Sequence, residues 1–401
     1  MANVPKKGSP QVTDNWRGIL VNSHIAKVVA TKIYREVQSV YAGYVGCTQF
    51  GATPRMGTAL AGHTLRLAME IGKQRGWSCM LVFADLSKAF DKIVRESVLG
   101  WSDEVAPEDR HARLLEIGLS EGQAQALEAY LNEHGTAMEQ AGARKAVVDL
   151  MRSLHSAAWF QVGSSRSAPV VTRRGGRQGC KLGPLVFNCG YELPLNLIRR
   201  KLAALGIGFR IEGTARCPWA APPSVFEVGT GSGDWTGYDR CQSLTEVVYV
   251  DDVGFIVFCK TPFQLYSLAP RALQVLVDAF HMFGMELNLS KGKAEAFVAY
   301  RGKNQAKYKE LLEQSGHIIS IPGHEGLSIS VVESYIHLGT RMAADSDANA
   351  DVMRRVSSCM SSFAPIAVSI LGRKSIPVRL RLQLATASCF PDCCTICTLG
   401  R

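Results

Sequence analysis

Between Val247 and Phe258 two apolar runs flank a pair of aspartates, Asp251 and Asp252. A charge inside buried backbone is costly unless it is paired or turned towards water. The segment therefore predicts a β-hairpin with an acidic turn. A second apolar run, Met80 to Ala84, leads straight into Asp85 and predicts a buried strand with an acid at its end. If the two elements are neighbours in one sheet, three carboxylates from distant stretches of chain meet at its end.

The rest of the chain alternates helical and extended patterns. Apolar spacing predicts helices over 24–38, Thr58–Gln74, Pro184–Leu205 and 263–284. Residues 158–173 suggest a β-hairpin, 294–300 a strand, and Ser334–Met342 another short hairpin. Residues 101–146 are charged and helix-prone and read as a peripheral insertion. The Gly-, Pro- and Ser-rich stretch 213–243 reads as a long loop, and the first dozen residues as a mobile basic lead-in. From Asp347 to Leu384 basic and apolar residues recur at roughly helical spacing. The order strand, helix, hairpin, helix, strand predicts an α+β domain with an antiparallel sheet.

At 401 residues, with 47% hydrophobic and 20% charged, the composition is that of a globular protein able to bury a large core. Lys and Arg outnumber Asp and Glu by 45 to 35, which favours a polyanionic partner but also suits a plain basic protein. No uninterrupted apolar run is long enough to span a membrane, and the polar N-terminus has no apolar signal region. The expectation is an intracellular protein, nuclear or cytoplasmic, not secreted and without a membrane partner. Cysteines such as Cys79, Cys189 and Cys259 sit among apolar neighbours, as reduced buried thiols do. The cluster Cys389, Cys393, Cys394 and Cys397 lacks the separated pairs of a zinc ribbon, and no histidine is near it.

Phosphoryl transfer to a primer hydroxyl uses two divalent cations about 4 Å apart, and hard cations such as Mg²⁺ take oxygen ligands. Asp85, Asp251 and Asp252 would supply them if the strands adjoin. Each acid has a plainer reading. Asp85 could cap a helix beginning at Leu86, and Asp251-Asp252 could be an ordinary turn.

Seven segments then line up in one order. Phe83-Ala84-Asp85-Leu86-Ser87-Lys88-Ala89-Phe90-Asp91 resembles the first palm motif of reverse transcriptases, most closely those of non-LTR (LINE-type) retrotransposons and their group II intron relatives. Tyr249-Val250-Asp251-Asp252 is similar to their YxDD motif, and Gly176-Arg177-Gln178-Gly179 with Pro184-Leu185 to the RQG…PL motif between the two. Leu287-Asn288 with Lys293-Ala294-Glu295 resembles the LN…KTE segment, and Tyr335-Ile336-His337-Leu338-Gly339 the primer grip. Upstream, Trp16-Arg17-Gly18-Ile19 and the stretch from Gln49-Phe50-Gly51 to Gly57-Thr58 resemble the segments that precede the palm. Lys181, Gly183, Gly18 and Ala294 depart from the family's usual Pro, Ser, Pro and Thr, and none of these is a metal ligand.

The resemblance implies a right-hand polymerase with an antiparallel-sheet palm, helical fingers and a partial helical thumb. It divides the chain into lead-in and fingers (1–79), palm (80–345, with 101–173 as fingers or insertion and 206–245 as a loop insertion) and partial thumb (346–401). It implies an RNA-directed DNA polymerase, a nucleotidyltransferase using two Mg²⁺ or Mn²⁺ ions, an RNA template, a DNA primer and dNTPs. Asp85, Asp251 and Asp252 would hold the metals, and Lys293 would be a general acid or triphosphate contact. Arg17 would grip the incoming triphosphate, and Phe90 would crowd a 2′-hydroxyl. Gln178 and Gly179 would pack against the templating pair, with Tyr335, Leu338 and Gly339 as the primer grip. The family's endonuclease is not seen, so a fragment of a longer retroelement polyprotein, or a remnant ending within the thumb, is expected. The rivals are an inactive or domesticated nucleic-acid-binding relative and an RNA-dependent RNA polymerase.

Overall fold

The computed structural model describes residues 2–5, 9, 11, 16–19, 21–53, 56–156, 158–160, 169–212, 226–228, 241–343, 349–373 and 375–384. The cysteines at 389, 393, 394 and 397 lie outside the described residues, as does the side chain of Arg17, whose backbone belongs to the strand Trp16–Ile19.

The main sheet has six strands, in spatial order Ile318–Ser320, Ser328–Val331, Glu295–Ala299, Ser78–Ala84, Asp252–Cys259 and Glu246–Tyr249. Neighbours are antiparallel except Glu295–Ala299 with Ser328–Val331, which are parallel. The fold is thus mixed α/β with a mostly antiparallel sheet, and the acidic hairpin does lie beside the strand that ends at Asp85.

That strand is buried at every position. Met80, Val82 and Ala84 enter one core with the helices Gly183–Ala204 and Pro262–Met282. Cys79, Leu81 and Phe83 enter another with the helix Thr58–Gln74. Successive side chains alternate between faces, so a strand covered on both must be apolar throughout. Each fully buried Leu, Val or Phe stabilises the fold by roughly 1.5–3 kcal/mol relative to exposure.

The helix Thr58–Gln74 and the helices Gly183–Ala204 and Pro262–Met282 fall where apolar spacing predicts them. The first helix runs further than expected, His24–Tyr44, because Ile33, Val37 and Tyr41 continue one buried stripe. Ser23 caps it, accepting from the Ala26 amide at 3.2 Å. The 158–173 hairpin is seen in its two ends, Trp159–Phe160 paired with Val170–Val171. Cys79, Cys180, Cys189 and Cys259 are buried free thiols.

Four expectations are corrected. Ala2–Pro5 in the lead-in pairs antiparallel with Trp16–Ile19. The 101–146 helices are not peripheral, since Leu114, Leu127, Leu131 and Met138 belong to the main core. Within the expected loop, Phe226–Val228 and Cys241–Ser243 flank Phe209–Glu212 in a three-stranded sheet. The C-terminal stretch is helical but not continuous: the helix Asn349–Ile366 ends one residue past Pro365, a π-helical turn covers Ala367–Leu371, and residues 378–384 are helical again. Residues 305–331, outside the predicted elements, hold a helix, Gln305–Gln314, and two short strands.

Candidate active site

Strand register builds the site. Val253 pairs with Ala84, and one step further along puts Asp252 across from Asp85. Cross-strand neighbours have Cα atoms about 4.5–5.5 Å apart. Alternation sends Asp85 to the same face as Phe83, and Asp252 to that same face. Asp85 does not cap a helix, because the next helix starts at Ala89 behind Lys88. Asp251 and Val250 form the two-residue turn between the paired Tyr249 and Asp252. Asp252 is exposed, and Asp85 and Asp251 are half-buried.

Two tyrosines feel these charges from opposite sides. Tyr335 is pushed up to about 12, first by burial and then by Asp85, Asp252 and Glu295. Tyr191, fully buried on the other side, is pushed well up by burial and then by Asp251 and Asp252. Lys293 Nζ stands 3.6 Å from Asp85 Oδ2, and Asn288 Nδ2 is 3.4 Å from the same oxygen. The Asn288 amide also donates to the Asp85 carbonyl at 2.8 Å, so Leu287-Asn288 is tied to the end of the central strand. Among the described residues no three His, Cys, Asp or Glu side chains close into a metal cage. The donor set is nevertheless all oxygen and partly open to solvent, which fits a hard divalent cation bound from solution rather than a buried structural ion.

The turn itself is unusual. Val250 has a φ of 62°, and among non-glycine residues of the turn it alone is positive. That is the type II′ pattern, where glycine is usual. A side chain in this region costs roughly 1–2 kcal/mol. The backbone of Val250 is gripped from outside the hairpin: its amide donates to Gln49 Oε1 at 3.0 Å, and Gln49 Nε2 donates to its carbonyl at 3.4 Å. Gln49 was legible only as the start of a motif, with no role attached.

Phe90 is half-buried and stacks on Phe187 with ring centroids 4.1 Å apart. The Gly176 amide donates to the Phe90 carbonyl at 2.6 Å, which ties Phe90 to the glycine-rich turn. In that turn Gln178 is half-buried and Gly179 exposed. Arg95 is a strut beneath it: almost fully buried, it donates to the carbonyls of His155, Thr172, Arg174 and Gly175 and to the Thr172 hydroxyl. Burial pulls its guanidinium down to about 10. No motif marked Arg95, since its partners are mainly backbone carbonyls.

The hairpin Ser334–His337/Thr340–Ala343 covers the face shared by Asp85 and Asp252. Tyr335 stacks on Phe83 at 4.3 Å and donates its hydroxyl to the Lys293 carbonyl at 2.8 Å. Leu338 and Gly339 form its turn, with φ of 50° and 75°. Asp351, fully buried on the helix Asn349–Ile366, accepts from Arg66 and Arg355 at 2.9 Å, Arg354 at 3.1 Å and the Arg341 amide at 2.8 Å. Arg354 and Arg355 in turn donate to the Gly339 carbonyl. This hub was not foreseen: Arg354 and Arg355 stand within one helical turn of Asp351, but the contacts to Arg66 and to the turn at Gly339 come from other elements.

The fold and site define an α/β protein with a mostly antiparallel sheet, in which Asp85 and Asp252 face each other at the end of the central strands and Asp251 stands in the adjoining turn. No family model matches the chain. It is 24% identical over 204 residues to a Xenopus laevis protein described as a transposon TX1 uncharacterized 149 kDa protein, over 50% of this chain and 13% of that one. A telomerase from Candida albicans, solved with the TWJ fragment of telomeric RNA, aligns with 80% of this chain and 37% of its own at 11% identity, with a TM-score of 0.33. The chain is therefore related over half its length to a transposon-encoded protein, of which it spans a small part. Among the described residues no helix is long and apolar enough to cross a membrane.

Proposed function

We propose that the chain is the polymerase core of a retroelement protein, an RNA-directed DNA polymerase of the non-LTR type. The observation that supports this most is the shared face of Asp85 and Asp252 at the end of the central strands, with Asp251 beside them in the turn. The relation to a transposon-encoded protein agrees with the retroelement resemblance of the motifs.

In this reading Asp85, Asp251 and Asp252 hold two Mg²⁺ or Mn²⁺ ions. Bound there, the ions would lower the barrier to primer attack and offset charge on the triphosphate. The chain's own residues do the rest. Lys293, held beside Asp85, is placed to contact the triphosphate or give a proton to the departing pyrophosphate oxygen. Phe90, held against Phe187, presents a ring edge that excludes a 2′-hydroxyl and so selects dNTPs. Gln178 and Gly179 form the surface beneath the templating pair, and Arg17 grips the triphosphate. Tyr335, Leu338 and Gly339 seat the primer end over the same face. RNA template and DNA primer are the partners, and other domains of a longer polyprotein would accompany this core.

The test is extension of a DNA primer on an RNA template by the purified chain with dNTPs, with Mg²⁺, with Mn²⁺ and with EDTA. The expected result is metal-dependent extension that Asp252→Asn abolishes. Salt-sensitive RNA binding without incorporation under either metal would replace this reading with that of a nucleic-acid-binding relative. Incorporation of NTPs in preference to dNTPs would make it an RNA polymerase.

A further inference from the structure

We propose that Gln49 is a positioning residue for the Asp251–Asp252 turn: its carboxamide holds Val250 in the left-handed conformation that closes this turn beside Asp85. The role rests on the reading of this turn as a polymerase metal centre.

Four observations carry it. First, Val250 is a β-branched residue at a φ of 62°, a conformation it does not keep without outside support. Second, one buried side chain, 3% exposed, bonds both backbone groups of that residue. Its Oε1 also accepts from the Gly51 amide at 2.9 Å, so the carboxamide is itself aligned. Third, the segment that carries Gln49 is tied to the hairpin's outer strand. The Phe50 amide donates to the Val248 carbonyl at 2.7 Å, and the Val248 amide to the Thr48 carbonyl at 2.9 Å. Fourth, Gly51 lies so close that a Cβ there would be 2.3 Å from the Val250 nitrogen. Asn188 holds this glycine from behind, donating to its carbonyl at 3.0 Å.

The choice of residue type follows from the site. The Val250 N–H needs an acceptor and its C=O needs a donor, and a carboxamide offers both on one planar group without net charge. A lysine or arginine would donate but not accept, and would compete with a cation for the aspartates. A glutamate would accept only and would add repulsion beside three carboxylates.

The experiment compares the full chain with Gln49→Met, Val250→Gly and the double variant. Methionine keeps the volume and removes all three hydrogen bonds. Mn²⁺ binding without nucleic acid is read by electron paramagnetic resonance, and hydrogen exchange over residues 246–252 by mass spectrometry. The expected result for Gln49→Met is Mn²⁺ affinity weakened about tenfold, as when a residue supporting a metal ligand is lost. Exchange in the turn rises by a similar factor. Adding Val250→Gly restores most of the affinity, because glycine adopts the turn without a clamp. A residue that only stabilises the fold would lower the unfolding midpoint without moving the affinity. Unchanged affinity and exchange in Gln49→Met, or the same loss with and without Val250→Gly, would overturn the proposal. If the wild-type chain takes up Mn²⁺ at the aspartates but extends no primer, the polymerase reading fails and the clamp is still decided. If it takes up none, the exchange measurement decides the clamp alone.

Discussion

Two hairpins meet over the end of the central strand, and they solve the same backbone problem with different chemistry. Each closes with a two-residue turn whose first residue is a bulky aliphatic at positive φ, Val250 in one and Leu338 in the other. The acidic turn is held by a neutral carboxamide, Gln49, from the segment before the helix Thr58–Gln74. The other is held by two guanidiniums, Arg354 and Arg355, that share the buried carboxylate of Asp351. A turn that carries two aspartates is supported without charge, whereas the turn of the covering hairpin is fixed by charge. The first support is independent of pH, and the second is not.

The largest effect expected is on the acidic side. Under the proposed function, Asp252→Asn should lower primer extension by about a thousandfold or more, because loss of a metal ligand would remove several kcal/mol of transition-state stabilisation. Far-ultraviolet circular dichroism and the unfolding midpoint should be nearly unchanged, since Asp252 is exposed. Near wild-type extension would remove the functional half of the comparison.

Next in size is Asp351→Ala. It leaves Arg66, Arg354 and Arg355 without their shared partner, and Arg355 is itself buried. Breaking a buried ion pair from one side costs about 3–5 kcal/mol, to be read by denaturant unfolding. A loss below about 1 kcal/mol would mean that the hub acts as a solvated surface cluster, and the contrast with Gln49 would vanish.

Much of this was legible in the sequence, and the reason is local. The strand ending at Asp85 and the hairpin carrying Asp251 and Asp252 each announce themselves as unbroken apolar runs, because the sheet is covered on both faces. The helix Thr58–Gln74 shows a clean apolar stripe. The helix Gln305–Gln314 buries no side chain fully and leans on the core only through Tyr308 and Leu312, so its apolar stripe is too narrow to stand out. Its neighbouring strands are three and four residues long, too short for a pattern. In the site, the three acids and Lys293 were visible as residues of the right kind. Gln49 and Arg95 were not, because their partners are mainly backbone groups far along the chain; Asp351 was not, because Arg354 and Arg355 stand one turn from it but Arg66 and the Arg341 amide come from other elements. Polar supports of this sort have no periodicity.

The third prediction concerns pH. His337, buried on the second hairpin and 5.0 Å from Phe83, is pulled down to about 4 by burial. The folded chain refuses a proton that the unfolded chain accepts near pH 6.5. Its contribution is therefore complete above about pH 6.5 and lost as the pH falls towards 4, by up to about 3 kcal/mol. Asp351 acts in a lower window. Burial pushes its carboxyl up, but the Arg341 amide, Arg355 and Arg66 outweigh this and hold it below the usual carboxylate range. That stability is present above the unfolded value, about pH 4, and is lost below it. Denaturant unfolding of His337→Phe across pH 4–7 should be flatter than wild type. An identical slope would mean that the imidazole reaches water in the folded state.

The smallest effect tests whether the turn residues themselves are strained alike. Leu338→Asn would create Asn-Gly at the two central positions, the pair best suited to a turn with both φ values positive. Relief of the left-handed leucine is worth roughly 1–2 kcal/mol, and Leu338 is half-buried, so part is returned as lost packing. A net gain of about 0.5 kcal/mol is expected in denaturant unfolding. Val250→Gly relieves similar strain but adds roughly 0.5–1 kcal/mol of unfolded-chain entropy, so its gain should be smaller still. A clear gain at 250 with none at 338 would reverse the comparison. It would mean that Gln49 stores strain in the acidic turn, while the guanidiniums at Gly339 have already relieved it in the other.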